Sequence, residues 1–361
     1  MSGPWDGGRQ EVVQVRLDVD LWIGAADGPE EEEFGDVIDL LQDGAGRIFV
    51  LDRLALTVRV FGNDGRYLLS FGGRGDGPGE FSELYCLAGD PANRLWISGF
   101  REFEVFHDDG SGMGPYRTMR RNAELTRGCP MFPESGGPLF PAYGDGAHGA
   151  HVELGEDGRP IRQIDLPRHV DGDILGWRKL RIRQGDGVIQ ENDLAPPAGP
   201  RDPLRRARDG RFGRVVTTEY RVQLYDADGA PSHEIHRAAT GPELSDAERR
   251  AFRREQDSLE RATRPYRVGA YPDFPIPDRH PPVRELGFDL DGRLWIELAR
   301  PAEAAEAYAE VFDATGTLIF TASWPRSVRL WYGSIRDSTA LGIAADGLGT
   351  QRVARLRFRR N

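Results

Sequence analysis

Side chains able to do chemistry stand at equivalent positions in three similar stretches of this sequence. When the similar stretches are aligned on their shared arginines, three residues coincide, namely Asp39, Cys86 and Glu285. Three further polar residues lie close to them in the sequence, Asp36, Glu83 and Arg284. Carboxylates that face a common channel can coordinate a hard cation such as calcium, or act as general acid and base. The more common role of a partly buried carboxylate is a hydrogen bond to nearby backbone or to an arginine, and both roles stay open.

A second group of residues is suited to direct contact with a ligand. It consists of Arg53, Arg74, Asp76, Arg101, Tyr220 and Arg221. Guanidinium groups bind carboxylates and phosphates through paired hydrogen bonds, so a pocket edged by arginines predicts an anionic ligand. The abundance of arginine is not itself a signal. Lys179 is the only lysine, and the arginines are spread along the whole chain, which is typical of a compositional bias.

Two local patterns resemble ligand-binding motifs but lack their essential features. The glycine-rich run from Gly72 to Gly79 lacks the GK[ST] ending of a phosphate-binding loop. His148 and His151, with Asp145 nearby, have the spacing of a metal pair, but in a segment entering a strand that spacing points side chains to opposite faces. HExxH, GxSxG and CxxC do not occur. We therefore assign no catalytic residue and no metal ligand.

Composition narrows the classes of partner. The 361 residues include 47 basic and 58 acidic side chains, which gives a net charge of −11 and argues against nucleic acid as a partner. No run approaches the roughly 18 apolar residues of a membrane span. The chain begins without the features of a signal peptide. Cys86 and Cys129 are too far apart in the sequence for a paired zinc motif, and whether they form a disulfide is left open, since that needs Cα atoms within about 7 Å.

An internal repeat organises the chain. The stretch from Asp39 to Gly72 reads as four short β segments with period-2 alternation and tight Asp-Gly turns. The same pattern returns in four more stretches, 87–112, 138–166, 211–236 and 286–322. Their third turns carry Gly65, Gly110, Gly158, Gly229 and Gly316. Residues 328–358 supply three strands of a sixth unit, and an N-terminal segment that alternates well supplies the fourth.

These units predict an all-β fold, a single six-bladed β-propeller of four-stranded blades whose last blade is closed by the N-terminal strand. The expected elements within residues 1–361 are a closing strand at 11–24 and blades at 36–72, 81–121, 125–167, 178–237, 282–324 and 328–359. One helical insertion is expected at 243–264. There Ser245 and Glu248 form a capping box ahead of an apolar stripe, and the helix could either cover the central pocket or fill a gap beside a blade.

Loop lengths favour one face of this ring as the site. Turns between the first and second strands, and between the third and fourth, are short, whereas the other connections are long and varied. Function concentrates on long loops held by a rigid scaffold. We therefore expect the site on the face that bears the long loops, around the central channel.

The stretch GRIFVLDRLALTVRVFGNDGRYLLSFGGRGDGPGEF, residues 46–81, resembles the repeats of NHL-type bacterial six-bladed β-propeller proteins. Residues 220–229 and 289–297 are also similar to that family. The resemblance implies the propeller fold, and in its lactonase-type and lyase-type relatives it implies a metal at the channel mouth. Extracytoplasmic members begin with a leader, so a periplasmic or secreted location follows if a leader has been removed or the start is misassigned.

We therefore expect a non-catalytic propeller that binds a ligand or another protein on its long-loop face. The alternative is a metal-dependent hydrolase or lyase with its cation at the channel mouth. No cofactor is expected, with calcium or another divalent cation as the alternative. The partner is a small molecule, anionic if the arginines contact it, or a protein; neither nucleic acid nor a membrane span is expected.

Overall fold

The computed structural model describes residues 12–25, 28–108, 112–120, 125–133, 137–143, 149–155, 159–166, 176–183, 185, 187–196, 199, 201 and 203–360. In these residues the chain is an all-β propeller with one α-helix. A short 3-10 turn, Glu30–Glu32, precedes the first blade. No helix in the described part of the chain has the length and apolar character of a membrane span.

Blades 1 and 2 are regular four-stranded antiparallel sheets. Blade 1 contains β2 (Val37–Gln42), β3 (Ile48–Asp52), β4 (Thr57–Phe61) and β5 (Tyr67–Gly72). Blade 2 contains β6 (Leu84–Gly89), β7 (Leu95–Gly99), β8 (Glu102–Asp108) and β9 (Met113–Arg120). The second strand of each is wholly buried because both of its faces pack against neighbouring blades.

Blade 3 has an irregular innermost element. Its three strands are β10 (Leu139–Tyr143), β11 (Gly149–Leu154) and β12 (Pro160–Asp165). The segment inside them contacts β10 only through isolated bridges, Leu125 to Ala142 and Met131 to Leu139. Pro130 lies between the two bridges and has no backbone N–H to donate, which explains why a continuous strand does not form.

The range predicted for blade 4 holds two separate sheets. A hairpin, β13 (Arg178–Arg183) and β14 (Ile189–Leu194), forms a sheet of its own. It contacts the chain that follows the helix, where the N–H of Arg183 donates to the carbonyl of Tyr266 at 2.6 Å. The four-stranded blade comprises β15 (Leu204–Arg206), β16 (Phe212–Val216), β17 (Tyr220–Tyr225) and β18 (Pro231–Arg237).

The N-terminal strand closes the ring. Blade 5 comprises β19 (Val283–Phe288), β20 (Leu294–Leu298), β21 (Glu306–Phe312) and β22 (Leu318–Pro325). Blade 6 comprises β23 (Val328–Arg336), β24 (Thr339–Ala345), β25 (Gln351–Arg360) and β1 (Val13–Ile23). Strand β1 pairs antiparallel with β25 and, over Val13 to Arg16, parallel with β22 of blade 5. The sheet edge of the last blade is thereby covered, as predicted.

The hydrophobic core lies between blades. One cluster joins blades 1 and 2 around Leu51 and Ile97, another joins blades 5 and 6 around Trp295 and Leu356. Trp96 and Trp295 are both buried. Innermost strands of adjacent blades contact one another, β2 with β6 and β23, and β19 with β15 and β23. The innermost strands therefore surround a central channel.

The single helix, α1 (Asp246–Thr263), starts with the predicted capping box. The N–H of Glu248 donates to the Ser245 hydroxyl at 3.3 Å, and the N–H of Ser245 donates to the Glu248 carboxylate at 2.8 Å. No residue of Asp246–Thr263 is fully buried, while Leu244, the first residue of the predicted apolar stripe, is buried just before the helix and Phe252 is half-buried. Polar contacts also hold the helix, including Gln256 Nε2 to the carbonyl of Phe274 at 3.1 Å.

Candidate functional site

A cavity of about 500 Å³ lies at the centre of the ring, and all six blades contribute to its wall. Its lining includes turns that connect first and second strands, so it lies at the end of the channel that bears the tight turns. Those turn residues are Asp43, Gly44, Pro91, Asn93, Arg208 and Leu290. The helix does not contribute to the wall.

Two of the arginines that line the cavity are fixed by the aspartate that opens their own turn. Arg47 Nε donates to Asp43 at 2.7 Å and Arg94 Nε donates to Asp90 at 2.6 Å. The other oxygen of each aspartate accepts backbone N–H groups of the turn, such as Arg94 N to Asp90 at 2.9 Å. These pairs neutralise each other and shape the mouth of the cavity.

Three other arginines reach the same cavity without a carboxylate partner among the described residues. They are Arg206, Arg208 and Arg336, from blades 4 and 6. Arg206 Nη1 is buried and has no hydrogen-bond partner, while the guanidinium stacks 4.6 Å from the centre of the Phe212 ring. Burial and repulsion by Arg162 lower the pKa of Arg206 to about 10, with the charge of Asp209 partly opposing the shift, so Arg206 is still cationic at neutral pH. A partly buried cation with no carboxylate in hydrogen-bond range attracts an anion.

Asp39, from the innermost strand of blade 1, is a buried carboxylate of the cavity wall, as is Asp90. Its oxygens accept the N–H of Leu40 at 2.8 Å and the N–H of Leu87 at 2.9 Å, and a third bond comes from the side chain of Trp331. Burial raises the pKa of Asp39 to about 7, despite these hydrogen bonds. The group therefore changes charge near neutral pH.

Cys86 and Cys129 form a disulfide beside Asp39. Their Cα atoms are 5.7 Å apart, which answers the question that the sequence left open. The bond connects the innermost strand of blade 2 with the irregular inner segment of blade 3. Both sulfur atoms and an Asp39 oxygen lie within 4.8 Å of one another. Sulfur in a disulfide does not serve as a thiolate ligand, so this trio is not a metal site in the oxidised protein.

The structure places the other predicted site residues in separate pairs around the ring. Asp36 binds Arg53 Nε at 2.8 Å, Glu285 binds Arg205 at 2.9 Å, and Arg284 binds Glu297 at 3.0 Å. Glu83 accepts the hydroxyl of Tyr85, and Tyr220 donates to Glu310. Arg221 lies 3.7 Å from both Glu219 and Glu234. Arg74, Asp76 and Arg101 are exposed and, within the described residues, have no side-chain partner.

Two of the eleven predicted residues line a cavity. Asp39 lines the central one, and Arg284 lines a second cavity of about 360 Å³ between blades 4 and 5, near the long connections. Three further arginines share that second cavity, Arg201, Arg300 and Arg326. Of the histidine pattern, His148 and Asp145 lie outside the described residues. His151 is buried, and its Nδ1 has no hydrogen-bond partner in the described part of the chain.

The unpaired arginines of the central cavity were not among the predicted residues. The sequence carries one local signal for them, the cluster RRARDGR at 205–211 in a first turn. Arginines elsewhere in the chain are as dense, so this cluster did not stand out. Arg206 and Arg336 are 130 residues apart by number, and only closure of the ring brings them together.

Six blades around a central channel, with a lined cavity at one end, define a β-propeller. A family model, DUF5128, described as a 6-bladed β-propeller, matches residues 29–94, which supports membership of a β-propeller family. No curated protein matches the chain.

Several solved structures follow a similar chain course at low identity. A putative exported protein from Bacteroides fragilis is 12% identical with a TM-score of 0.49, over 97% of this chain and 99% of that one. Virginiamycin B lyase from Staphylococcus aureus is 12% identical with a TM-score of 0.43, over 95% and 99%. Regucalcin from Agrobacterium tumefaciens, a calcium-binding protein, is 11% identical with a TM-score of 0.41, over 95% and 96%. At these values the likeness says nothing about what this chain binds or catalyses.

Proposed function

We propose that this protein is a non-catalytic binding propeller that holds an anionic small molecule in its central cavity. The observation that carries the proposal is the trio Arg206, Arg208 and Arg336, which line the cavity and have no carboxylate partner among the described residues. The volume of about 500 Å³ is within the range typical of small-molecule sites. We also propose that the blades are repeats of the NHL type, on the resemblance of residues 46–81 to that family.

Charge balance within the cavity favours an anion over a cation. Of the lining carboxylates, Asp43 and Asp90 are each engaged by an arginine four residues later. Asp39 already accepts three hydrogen bonds and gives up its charge readily, because burial raises its pKa to about 7. The positive charge of the three unpaired arginines is therefore not balanced by the wall.

The alternative, a metal-dependent hydrolase or lyase with a cation at the channel mouth, receives less support from the donor set. Among the described residues, the carboxylates proposed for it are held in ion pairs or hydrogen bonds, Asp36 with Arg53 and Glu285 with Arg205. A hard cation needs several oxygen ligands that converge on one point. Pairing with arginine turns these oxygens toward separate partners.

Thermal unfolding of the full chain in a series of anions tests the proposal. Phosphate, sulfate, citrate and dicarboxylates are compared at constant ionic strength with neutral analogues of similar shape. A ligand that binds only the native state stabilises it by about 2.7 kcal/mol at a concentration of 100 times its Kd. We expect at least one anion to raise the melting temperature of the wild type in a concentration-dependent way.

Matched variants locate the effect. Arg206→Gln and Arg336→Gln should reduce the shift, because each removes a cation from the cavity wall. Arg66→Gln is the control, since its side chain is 86% exposed on a turn. Equal shifts in all four proteins, or no shift with any anion, would contradict the proposal.

A further inference from the structure

The disulfide of this protein is placed where a small molecule can reach it. Cys129 belongs to the wall of the central cavity, whereas Cys86, on β6, is not part of the lining. Both cysteines are partly exposed rather than sealed in the core. A thiol that enters the cavity therefore meets the sulfur of Cys129 first.

The chain around Cys129 can move without disturbing a regular sheet. Residues 125–131 are tied to blade 3 by two isolated bridges instead of a strand ladder. A disulfide that opens must let its sulfur atoms separate, and an irregular segment accommodates this more easily than a central strand does.

An ionisable group stands beside both sulfur atoms. The Asp39 carboxylate has an oxygen within 4.8 Å of each of them. Thiol–disulfide exchange creates a thiolate on the departing sulfur, and its release is easier when a neighbouring acid supplies a proton.

We propose that Cys86–Cys129 is a redox-active pair, opened from the central cavity by a dithiol reductant, with Asp39 as the proton donor to the departing Cys86 sulfur. This inference does not depend on the anionic ligand proposed above.

Reduction of the pair proceeds through a mixed disulfide. A thiolate of the dithiol attacks the Sγ of Cys129, the Sγ–Sγ bond breaks, and its electron pair passes to the Cys86 Sγ, which takes the proton of the Asp39 carboxyl group. The second thiol of the reductant, after losing its proton to solvent, then attacks the reductant sulfur that is bonded to Cys129. The bond between that sulfur and the Cys129 Sγ breaks. The reductant leaves as a cyclic disulfide, and the Cys129 thiolate takes a proton from water. Asp39 is reprotonated from solvent, so two electrons and two protons reach the cysteine pair.

The titration of Asp39 is set by its immediate surroundings. Strand β2 packs against β3, β6, β23 and β24. The titratable side chains on those strands are Asp52, Tyr85, Arg329, Tyr332 and Arg336. The charged lining residues nearest in sequence are Asp43 and Arg47. The pKa of Asp39 rises to about 7 because of burial, and the hydrogen bonds from Leu87, Leu40 and Trp331 oppose that rise.

Reduction kinetics of the full chain test the proposal. The native protein is mixed with dithiothreitol, and free thiols are counted by mass after alkylation at pH values between about 5.5 and 8.5. The rate constant is expressed per thiolate of the reductant, which removes the titration of the reductant itself. Because the protonated fraction of a group with a pKa of about 7 falls about tenfold between pH 6 and pH 8, we expect this rate constant to fall about tenfold.

Asp39→Asn should abolish this fall and slow the reaction below pH 7. Asp64→Asn, at a carboxylate that is 66% exposed on a turn, is the control and should keep the wild-type profile. A wild-type rate constant per thiolate that does not change with pH would overturn the role of Asp39. So would an Asp39→Asn profile identical to that of the wild type.

A second pair of variants tests access and does not require Asp39→Asn to fold. Cys86→Ser leaves Cys129 as a free thiol on the cavity wall, and Cys129→Ser leaves Cys86, which is not part of the lining. We expect alkylation of Cys129 to be at least about tenfold faster than alkylation of Cys86, because reactivity follows exposure. A disulfide that dithiothreitol reduces only in denaturant would show a structural cross-link and overturn the proposal.

Discussion

Asp39 and His151 are buried titratable residues whose pKa values are shifted in opposite directions. Burial is the main cause in both cases, because it disfavours the charged form of each group. The pKa of Asp39 rises to about 7, while the pKa of His151 falls to about 3, with Arg206 adding repulsion. Both groups are therefore neutral between about pH 4 and pH 6 in the folded protein.

The pKa of Asp39 predicts a loss of stability on the alkaline side. Since the folded state holds this proton more tightly than the unfolded chain, the contribution of Asp39 is fully present below its unfolded pKa of 3.8 and is lost as pH rises through about 7. A tenfold difference in proton affinity between the two states corresponds to about 1.4 kcal/mol, so the contribution amounts to several kcal/mol at most. In urea unfolding, the free energy of unfolding of the wild type should decline between pH 4 and pH 8. The control Asp64→Asn should show the same decline, and Asp39→Asn should show a smaller one. Parallel curves for all three would contradict the raised pKa of Asp39.

The lowered pKa of His151 predicts a loss of stability on the acid side. Its folded pKa is below the unfolded value of 6.5, so the free energy of unfolding should fall as pH decreases from about 6.5 toward 3. His151→Gln removes the titrating group and should flatten this acid-side decline relative to the wild type. His233→Gln, at an exposed position on β18, is the control. If the acid-side decline of His151→Gln matches that of the wild type, His151 does not titrate with a lowered pKa.

The same aspartate-centred turn recurs in several blades and fixes the start of the second strand. Asp90 and Asp289 each accept the Nε of an arginine and the indole N–H of a tryptophan, Trp96 at 3.0 Å and Trp295 at 2.8 Å. Backbone N–H groups of the turn complete the network, such as Arg293 N to Asp289 at 2.8 Å. One side chain thereby joins the turn to the core between blades.

Asp289→Ala should destabilise the protein by about 3 kcal/mol, because it leaves the fully buried indole N–H of Trp295 without a partner. Asp43→Ala is the matched comparison. Its turn has the same arginine bond at 2.7 Å, but Phe49 replaces the tryptophan. Urea unfolding should give a smaller loss for Asp43→Ala. Losses of equal size would show that the indole bond adds nothing.

Much of this element-level structure follows from the sequence. The repeat pattern with its Asp-Gly pairs predicted the tight turns, and the capping box predicted the helix start at Ser245. The hairpin of β13 and β14 was not separated from blade 4, because alternation alone does not say which strand a segment pairs with. The exposure of the helix was missed for a similar reason, since an apolar stripe does not specify what covers it.

At the scale of the whole ring, β1 closes the propeller, because it completes blade 6 and also pairs with blade 5. Leu17 is fully buried in the cluster between blades 5 and 6 and is paired with Phe358 on β25. Asp20 adds charge-assisted bonds to Arg355, at 3.0 Å from Nε and 2.9 Å from Nη2. The two ends of the described chain thus share one blade, as the repeat pattern predicted.

Leu17→Ala should cost about 2 to 5 kcal/mol in urea unfolding, as expected for a large-to-small change at a buried site. Val13→Ala is the control on the same strand, because Val13 is 48% exposed. Unfolding should remain a single transition in which all blades take part. A loss no larger for Leu17→Ala than for Val13→Ala would contradict the closing role of β1.

The place of the proposed ligand site was the part least accessible from the sequence. Loop length favoured the face with long connections, and the eleven residues chosen there are now mostly paired with neighbours, as Asp36 is with Arg53. Arg206, Arg208 and Arg336 come together only because six blades form a ring, and no local pattern encodes that convergence.

A crystal structure of the protein with the anion that gives the largest thermal shift would show directly where the ligand lies. We expect ordered density for the anion in the central cavity, in contact with Arg206 and with Arg208 or Arg336. An anion bound instead in the second cavity, beside Arg284 and Arg300, would refute the central site and would place ligand binding near the long connections.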